Sequence, residues 1–555
     1  MINKSIDTRE VIRYGLLAGL IALSLSVIGF IDLLGKREIV AGLFTTGHVF
    51  LLLAPVALAY LAAGKTPSEE KNKTLGHGAL IGFIAALPLV ILTILATAFD
   101  VRQFLVNVTP ALIELLTFGQ TLMIGNLILI AIMTILSLLA AALHTLPEQF
   151  KHPLLNGIGW TIILGMFSEI LSSRLRAFFG RGVIKLIFEG KALNIVSALI
   201  IFVFAIGITY WNDLRKNEEE EKKKATSQEN KKIQLIKTGI VGILLVLAPL
   251  LLGPYLTEVA NNIGLYVLMG LGLNIVVGFA GLLDLGYVGF FAIGAYTMGV
   301  LTSEGDLGLG LTFWTALPLS VLASTLAGVI LGIPVLGMRG DYLAIVTMGF
   351  GEIIRILALS DLLKPYIGGA QGVLQIPKPQ FFGINLFQPG HIYYIILVAV
   401  LFAVFISWRL RDSRLGRQWM ALREDEDVAE AMGINLVSTK LMAFGIGAFF
   451  GGLSGAIFAS KLSSIFPHSF SLIVSINVLA LIIVGGLGSL PGVVVGALIL
   501  VGLPEMLREF AEHRMLMYGI LLIVMMLVKP EGFIPSKVMQ REFHAHEEPE
   551  PLSSD

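Results

Sequence analysis

Cysteine is absent from this chain of 555 residues, and charged residues are scarce. Without a thiol there is no disulfide, no thiolate nucleophile and no cysteine ligand for a metal. The nine histidines show no metal-ligand spacing such as HExxH. The formal net charge is zero, so no excess of positive charge indicates a nucleic-acid partner. These absences exclude several classes of enzyme and of nucleic-acid-binding protein.

The shortage of charge is concentrated in long uncharged runs. Only 14% of the residues are charged, 56% are hydrophobic and the mean hydropathy is +0.85, whereas soluble domains carry about 25% charge. Residues 307–338 and 472–503 hold no charged side chain. A helix needs about 20 mostly apolar residues to cross a bilayer. We therefore predict an all-α polytopic membrane protein with about 15–16 transmembrane segments.

A charged stretch divides the chain. Residues 212–237 hold eight Lys or Arg and are predicted to form a cytoplasmic linker or helical spacer. Before it lies an N-terminal membrane extension, residues 1–211, of about six helices. After it come a second membrane region, residues 238–540, and an acidic tail, residues 541–555. The predicted spans are 14–34, 39–63, 76–99, 119–143, 153–172, 192–211, 237–257, 262–283, 285–302, 312–336, 342–360, 391–408, 439–460, 473–485, 492–504 and 515–529.

Basic residues predict which loops of the second region face the cytoplasm. Ten spans that start from a cytoplasmic linker place the loop 409–438 and the C-terminus in the cytoplasm, and this loop is rich in arginine. The first region fits less well, because residues 174–191 would carry several basic side chains outside. Either 153–172 does not cross fully, or 174–190 lies along the membrane surface. The N-terminal apolar run is predicted to be an anchor helix and not a cleaved signal.

Glycine recurs between residues 270 and 300, which read GLGLNIVVGFAGLLDLGYVGFFAIGAYTMGV. Small residues allow close helix contact in lipid, and glycine permits a helix to break beside a cavity. Asp284 lies between two apolar runs, where an ionisable side chain is costly and indicates function. The alternative is that Asp284 lies at the cytoplasmic boundary and caps the next helix.

Two later patterns predict helix packing. Tandem GxxxG motifs indicate tight helix contact. Glu352 and Arg355 lie three residues apart and are predicted to form a structural ion pair. The GxxxG glycines are Gly447, Gly451, Gly455, Gly488, Gly492 and Gly496.

The most informative segment lies between two predicted spans and reads RQWMALREDEDVAEAMGINLVSTKL, from Arg417 to Leu441. Helix propensity is good over residues 419–432, and Gly433 is predicted to end that helix. From its residues alone, the segment is either a solvated loop helix or a coupling helix that docks on a cytoplasmic subunit.

This segment resembles the cytoplasmic loop of ABC importer permeases, whose pattern is Glu-Ala-Ala, three residues, then Gly. Asp427, Val428, Ala429 and Gly433 take those places here. The two departures, Asp for Glu and Val for the first Ala, are typical of branched-chain amino acid permeases. The stretches GLLDLGYVGFFAIGAYTMGVL, GDYLAIVTMGFGEIIRIL and VGGLGSLPGVVVGA resemble further signatures of their LivM-type subunit, in the family's order. The second region thus resembles a LivM-type permease, with an unusually long N-terminal extension.

The resemblance implies a set of partners and a cellular location. Two cytoplasmic subunits would bind ATP and Mg, a second homologous permease would pair with this chain, and an extracytoplasmic protein would deliver a branched-chain amino acid. The chain itself would bind no cofactor, and it would lie in a prokaryotic plasma membrane.

The resemblance also implies two groups of site residues. The coupling residues would be Arg423, Glu424, Asp425, Glu426, Asp427, Ala429, Glu430 and Gly433. The expected substrate path is lined by Gly278, Gly281, Asp284, Tyr287, Phe290 and Tyr296.

Three other functions are alternatives to this one. Permeases for urea and short amides share the pattern of the resemblance. A self-sufficient secondary transporter would need buried ion-coupling residues and inverted repeats, and few such residues are present. A membrane enzyme would need converging catalytic groups, and no such set stands out.

Overall fold

The computed structural model describes residues 8–66, 71–99, 101–168, 171–172, 175, 182, 184, 186–190, 192–222, 229–338, 340–381, 384–506, 519, 523, 529 and 531–536. The chain divides into two compact units, residues 1–232 and 233–555. The division falls within the charged stretch 212–237. Helices run into this stretch from both sides, up to Lys222 and from Glu229.

The first unit is built from apolar helices. Its helices are α1 (Thr8–Val27), α2 (Phe30–Gly35), α3 (Thr46–Gly64), α4 (Lys71–Ala98), α5 (Pro110–Leu116), α6 (Leu122–His144), α7 (Glu148–Met166) and α8 (Ile195–Lys222). Within the described residues, four of them are long and apolar enough to cross a bilayer: α1, α3, α4 without its first residue, and α6.

A small sheet in the first unit corrects the predicted span 39–63. Its strands are β1 (Glu38–Val40), β2 (Phe44–Thr45), β3 (Phe188–Glu189) and β4 (Ala192–Leu193), in the order β2-β1-β4-β3. Residues 38–45 therefore form a hairpin, and the helix begins only at Thr46 because the Thr45 side chain caps it.

Two other spans of the first unit also differ from prediction. The span 14–34 is interrupted at Gly29, whose φ of 88° is not helical. The span 153–172 begins earlier, as α7, and ends at Met166. Most of residues 174–190, the proposed surface helix, lie outside the described residues.

The second unit is also built from helices, which are α9 (Glu229–Leu273), α10 (Val288–Thr302), α11 (Phe313–Val335), α12 (Asp341–Leu359), α13 (Lys364–Ile367), α14 (Pro389–Arg411), α15 (Arg414–Glu424), α16 (Glu426–Ala431), α17 (Leu436–Leu462), α18 (Leu472–Gly485), α19 (Leu490–Ala497) and α20 (Leu503–Met506). Five of its described segments are long and apolar enough to cross a bilayer: Gly242–Phe279, α11, α12, α14 and α17. Strands β5 (Gln380–Phe381) and β6 (Ile384–Asn385) form a short hairpin.

Together the two units confirm the predicted class, an all-α polytopic membrane protein. Nine described helices satisfy the requirements for a membrane span. A tenth span is formed if the bent pair 472–485 and 490–502 counts as one; the pair is bent by 120°, in agreement with the prediction of two separate spans, 473–485 and 492–504. The shorter apolar helices 195–211 and 288–302 lie at other predicted positions. The predicted span 515–529 lies almost wholly outside the described residues.

Helix α9 bends at Gly253, inside the predicted span 237–257, whereas the break was predicted between residues 257 and 262. The parts of α9 before and after Gly253 are called its first and second limbs. Gly253 has a non-helical backbone (φ 70°, ψ 175°) and Pro254 follows it. Asn261 Nδ2 donates to Pro389 O at 3.1 Å, and Tyr393 OH donates to Leu245 O at 2.9 Å. On a straight helix, residues 245 and 261 would lie about 24 Å apart. Because both limbs contact the first turns of α14, they fold toward each other at Gly253.

Both tandem glycine motifs are used inside the second unit. A Cβ added at Gly455 would lie 2.1 Å from Phe291 O, and one at Gly447 would lie 2.5 Å from Val276 Cγ2. A Cβ at Gly496 would lie 2.1 Å from Leu481 O, in the bent pair. The predicted tight helix contacts are therefore confirmed, and they lie within one chain.

The contact at Gly455 predicts a large effect of a side chain there. Gly455→Val is expected to lower the free energy of unfolding by at least about 1–3 kcal/mol, because the added methyls overlap a backbone carbonyl. Thermal unfolding of the full chain in detergent measures the loss. Gly349→Val in α12 is the matched control, since a Cβ there meets nothing within 4 Å. Equal stability of the two variants would contradict the prediction.

Candidate functional site

Residues 412–435 join α14 to α17 and are called the connection below. They form two short helices, α15 and α16, where one helix was predicted over 419–432. Asp425 separates them, because its backbone is extended (φ −157°, ψ 117°) and its Oδ1 accepts a hydrogen bond from Val428 N at 2.9 Å. An aspartate that caps a new helix competes with continuation of the preceding one. The single-helix prediction is therefore wrong at Asp425.

Gly433 ends α16 as predicted. Its φ is +84°, the left-handed conformation that glycine adopts without steric cost. Gly433 N donates to Glu430 O at 2.9 Å, and Ile434 N donates to Ala429 O at 3.1 Å. These two bonds form a Schellman motif, which turns the chain sharply from α16 toward α17.

Two buried side chains fasten the connection to α17. Trp419 is fully buried, and its Nε1 donates to Thr439 O at 3.0 Å. Lys440 is 1% exposed; its Nζ donates to Leu336 O at 3.1 Å and forms an ion pair with Glu426. A buried ammonium is costly to leave without its carboxylate. The pair therefore holds α16 against the first turn of α17.

The predicted coupling residues separate into an exposed face and an inner face. Ala429 is 2% exposed and packs inward, while Arg423 and Glu426 are half-buried. The exposed face also carries Val428 and Met432, one turn apart and 58% and 79% exposed. The predicted residues on the exposed face are Glu424, Asp425, Asp427, Glu430 and Gly433. The connection thus presents an apolar pair surrounded by carboxylates.

Arg423 joins the connection to a break between two membrane helices. A π-helical turn, Asn274–Phe279, ends the second limb of α9, and the chain then runs without helix to α10. Arg423 Nη1 donates to Gly278 O at 2.9 Å. Its side chain also packs on Gly281, where an added Cβ would lie 2.9 Å from Arg423 Cγ. Across the same break, Gly488 N donates to Asn274 Oδ1 at 2.9 Å. The break therefore contacts both the connection and the turn between α18 and α19.

Asp284 lies in the same break and is fully buried. Its Oδ1 accepts a hydrogen bond from Gly286 N at 2.8 Å, which forms a local turn. The residue that precedes α10 is Tyr287, and no side chain caps that helix. Asp284 thus stabilises the turn before α10, whereas the alternative reading placed it as the helix cap.

The predicted aromatic lining residues take part in helix packing. Tyr287 is fully buried and its OH donates to Gly447 O at 2.8 Å. Phe290 packs edge-on against Tyr287, with ring centroids 5.9 Å apart. Tyr296 packs against Phe470, with centroids 5.4 Å apart. The predicted pair of Glu352 and Arg355 is also present, with Arg355 Nε 3.0 Å from both carboxylate oxygens.

A cavity of about 230 Å³ lies elsewhere in the second unit. None of the six predicted path residues is among the described residues that line it. Its walls are Asn262, Leu265, Tyr266, Met269, Phe291, Phe458, Ser469 and Val474. Lys461, which contacts Asn262, is one of two charged residues in α17, and Lys440 is the other. Lys440 lies within the predicted span 439–460 and Lys461 directly after it. A charge at or next to the end of a predicted span is the sequence signal that could have identified both.

Comparison with known proteins identifies the family. The family described as "Branched-chain amino acid transport system / permease component" matches residues 255–528. The LivM permease protein of the high-affinity branched-chain amino acid transport system from Salmonella typhimurium (strain LT2) is 42% identical over 301 residues, which cover 50% of this chain and 69% of that protein. The chain belongs to the branched-chain amino acid permease family.

Other members of this permease family also match about half of this chain. LivM of Escherichia coli (strain K12) is 42% identical over 318 residues, which cover 53% of this chain and 73% of that protein. LivH of the same strain is 25% identical over 304 residues, which cover 50% of this chain and 95% of that protein. No solved structure matches the chain. The family match begins at residue 255, so residues 1–254 are additional to it.

The positive φ of Gly433 predicts how substitutions there will behave. Gly433→Val is expected to destabilise the end of α16 by about 1–2 kcal/mol, since a left-handed conformation is strained for a branched residue. Gly433→Asn is the control, because Asn tolerates this conformation and a Cβ meets nothing within 4 Å. Hydrogen exchange of residues 426–434 is expected to accelerate in the Val variant alone. Acceleration of similar size in both variants would contradict a conformational cause.

Proposed function

We propose that this chain is a transmembrane permease subunit of an ATP-driven importer for branched-chain amino acids. The observation that carries the proposal is the 42% identity to LivM proteins across the second unit. A second permease similar to LivH pairs with it, two cytoplasmic subunits bind ATP and Mg, and an extracytoplasmic protein delivers the substrate. The chain lies in a prokaryotic plasma membrane, with residues 212–237, the connection and the C-terminus in the cytoplasm.

The exposed face of the connection is the proposed docking surface for an ATP-binding subunit. Val428 and Met432 lie at i and i+4 and together present an apolar ridge. Short helices of this kind bind by placing such a ridge in an apolar groove of the partner. The carboxylates of Asp427 and Glu430 surround the ridge and favour a groove with a basic rim.

Rigid attachment would allow the connection to transmit force. Lys440 and Trp419 bind it to α17, so movement of α16 would move the first turn of that helix. Arg423 binds it to the break at Gly278, so the same movement would reach the limb that leads into the membrane. ATP-driven closure of the partner subunits would then shift the population between outward-open and inward-open states.

The docking proposal is tested by a charge placed on the ridge. The double variant Val428→Asp, Met432→Glu is expected to weaken binding of the ATP-binding subunits by roughly 100-fold or more, because two apolar side chains lose about 1.5–3 kcal/mol each. Co-purification and binding titration measure the loss. The matched control, Val428→Ile with Met432→Leu, keeps the ridge apolar and is expected to bind normally. Normal binding by the charged variant would overturn the docking proposal.

The transmission proposal is tested at Arg423. Arg423→Gln is expected to leave the assembled complex and its ATP hydrolysis intact, while leucine uptake per ATP falls about tenfold or more, since a hydrogen bond from a charged group is worth about 1.5–3 kcal/mol. Arg417→Gln is the control, because Arg417 is exposed and its Nη1 donates to Asp412 O, within the connection itself. Paired uptake and hydrolysis assays in proteoliposomes decide the question. An unchanged ratio in Arg423→Gln would contradict the proposal.

A further inference from the structure

The cavity of about 230 Å³ is enclosed by four parts of the second unit that are distant in sequence. The second limb of α9 contributes residues 262, 265, 266 and 269, a spacing that places them on one helix face. Phe291 of α10, Phe458 of α17, and Ser469 and Val474 around the start of α18 complete it. Sites for drug-sized ligands measure about 300–1,000 Å³, so this volume suits a smaller solute.

The cavity lies at the far end of α17 from the connection. Phe458 follows Leu436, the first residue of α17, by about six turns, roughly 33 Å along the helix. The hydrocarbon core of a bilayer is about 30 Å thick. The cavity and the connection are therefore near opposite faces of the membrane. If the connection is cytoplasmic, the cavity lies at the end where a solute from outside would enter.

Most of the cavity wall is apolar. Leu265, Met269 and Phe291 are all at most 3% exposed. The rings of Phe291 and Phe458 lie 5.0 Å apart, and Phe470 packs behind both of them. This part of the wall would hold an aliphatic side chain and offers no polar group to a small hydrophilic solute.

A charged pair lies next to one lining residue of the cavity, Asn262. Lys461 Nζ donates to Asn262 Oδ1 and forms an ion pair with Glu258 Oε1 at 2.7 Å. The Lys461 side chain is 4% exposed and that of Glu258 is 43% exposed. Asn261 Nδ2 also donates to Glu258 Oε2, at 3.3 Å. An ammonium and a carboxylate thus flank Asn262, the residue that brings this polar cluster to the cavity wall.

We infer that this cavity binds the free amino acid, with its aliphatic side chain against Leu265, Met269 and Phe458 and its charged groups toward the charged pair. Lys461 would pair with the substrate carboxylate and Glu258 with its ammonium. Urea and short amides have neither an aliphatic side chain nor a carboxylate to match this arrangement. The inference rests on the proposed function and extends it by naming the site and the chemical basis of selection.

Filling the cavity is the first test. Val474→Phe, in the complete transporter in proteoliposomes, is expected to lower leucine uptake at least tenfold, although the subunits still assemble. Ile473→Phe is the matched control, because Ile473 is the neighbouring residue, is 47% exposed and does not line the cavity. Its uptake is expected to equal that of the wild type.

Enlarging the cavity gives a second variant that does not strain the fold. Val474→Ala is expected to raise uptake of phenylalanine relative to valine, since the wall recedes from the bound side chain. An unchanged ratio of the two uptakes would overturn the inference.

The charged pair is tested by substrate choice. The wild type is expected to exclude leucinamide, which lacks the carboxylate. Lys461→Met is expected to lose this discrimination, and Lys461→Arg to retain it. Loss of leucine uptake in Lys461→Met while leucinamide is still excluded would indicate that Lys461 only supports the helix end, and would overturn its assignment to the carboxylate.

The failures of the two proposals can be told apart. If wild-type proteoliposomes show no ATP-dependent leucine uptake, the importer function itself is wrong. If they take up leucine and Val474→Phe transports as well as Ile473→Phe, the importer function stands and the cavity is not the binding site.

Discussion

Close backbone contact along α17 is the constraint on which the rest of the second unit depends. In lipid, apolar surface gives little drive for helices to associate, so packing and hydrogen bonds must hold them. Gly455 lies against Phe291 O, and Gly452 lies against Ser324. The Ser324 hydroxyl lies 2.9 Å from Phe290 O and 2.8 Å from Ala448 O, which ties α10, α11 and α17 together. Both proposed functional regions lie at the ends of this one helix, the connection at its start and the cavity near its finish.

Because the connection and the cavity lie at the two ends of α17, this helix joins them mechanically. Lys440 lies one turn after the start of α17 and Lys461 one residue before its end. Each is almost fully buried and each is paired with a glutamate. A helix packed so tightly along its length can shift as a body more easily than it can bend, because interiors at this density deform little. Movement of α17 as a body could then couple the two lysine sites during transport, without a chain of intermediate side-chain rearrangements.

Sequence patterns predicted the simple spans well. The predicted spans 312–336 and 342–360 agree within one residue with Phe313–Val335 and Asp341–Leu359, because charged or polar turns bound these mostly apolar runs. The separation of 473–485 from 492–504 was also predicted, and the end of α16 at Gly433 followed from its glycine.

Other structural features depend on interactions that a local sequence pattern does not reveal. Asp425 interrupts a helix that propensity favours, since its side chain caps the next one. The hairpin at 38–45 pairs through β1 with Leu193, far away in sequence, and so appeared as part of a span. The cavity is lined by four segments that are distant in sequence, so no local pattern indicates it. The substrate path was predicted in the Gly-rich stretch 270–300, but Phe291 is the one described residue of that stretch that lines the cavity.

The internal use of both tandem glycine motifs has a consequence for how the permease recognises neighbours in the bilayer. Glycine grooves are a common means of self-association between membrane helices, and here they are already filled. The lipid-facing surface instead carries bulky side chains such as Leu326, Ile330 and Val398, each more than half exposed. Recognition of another membrane protein then depends on how well these large side chains fit its surface and on the release of the lipids that cover them.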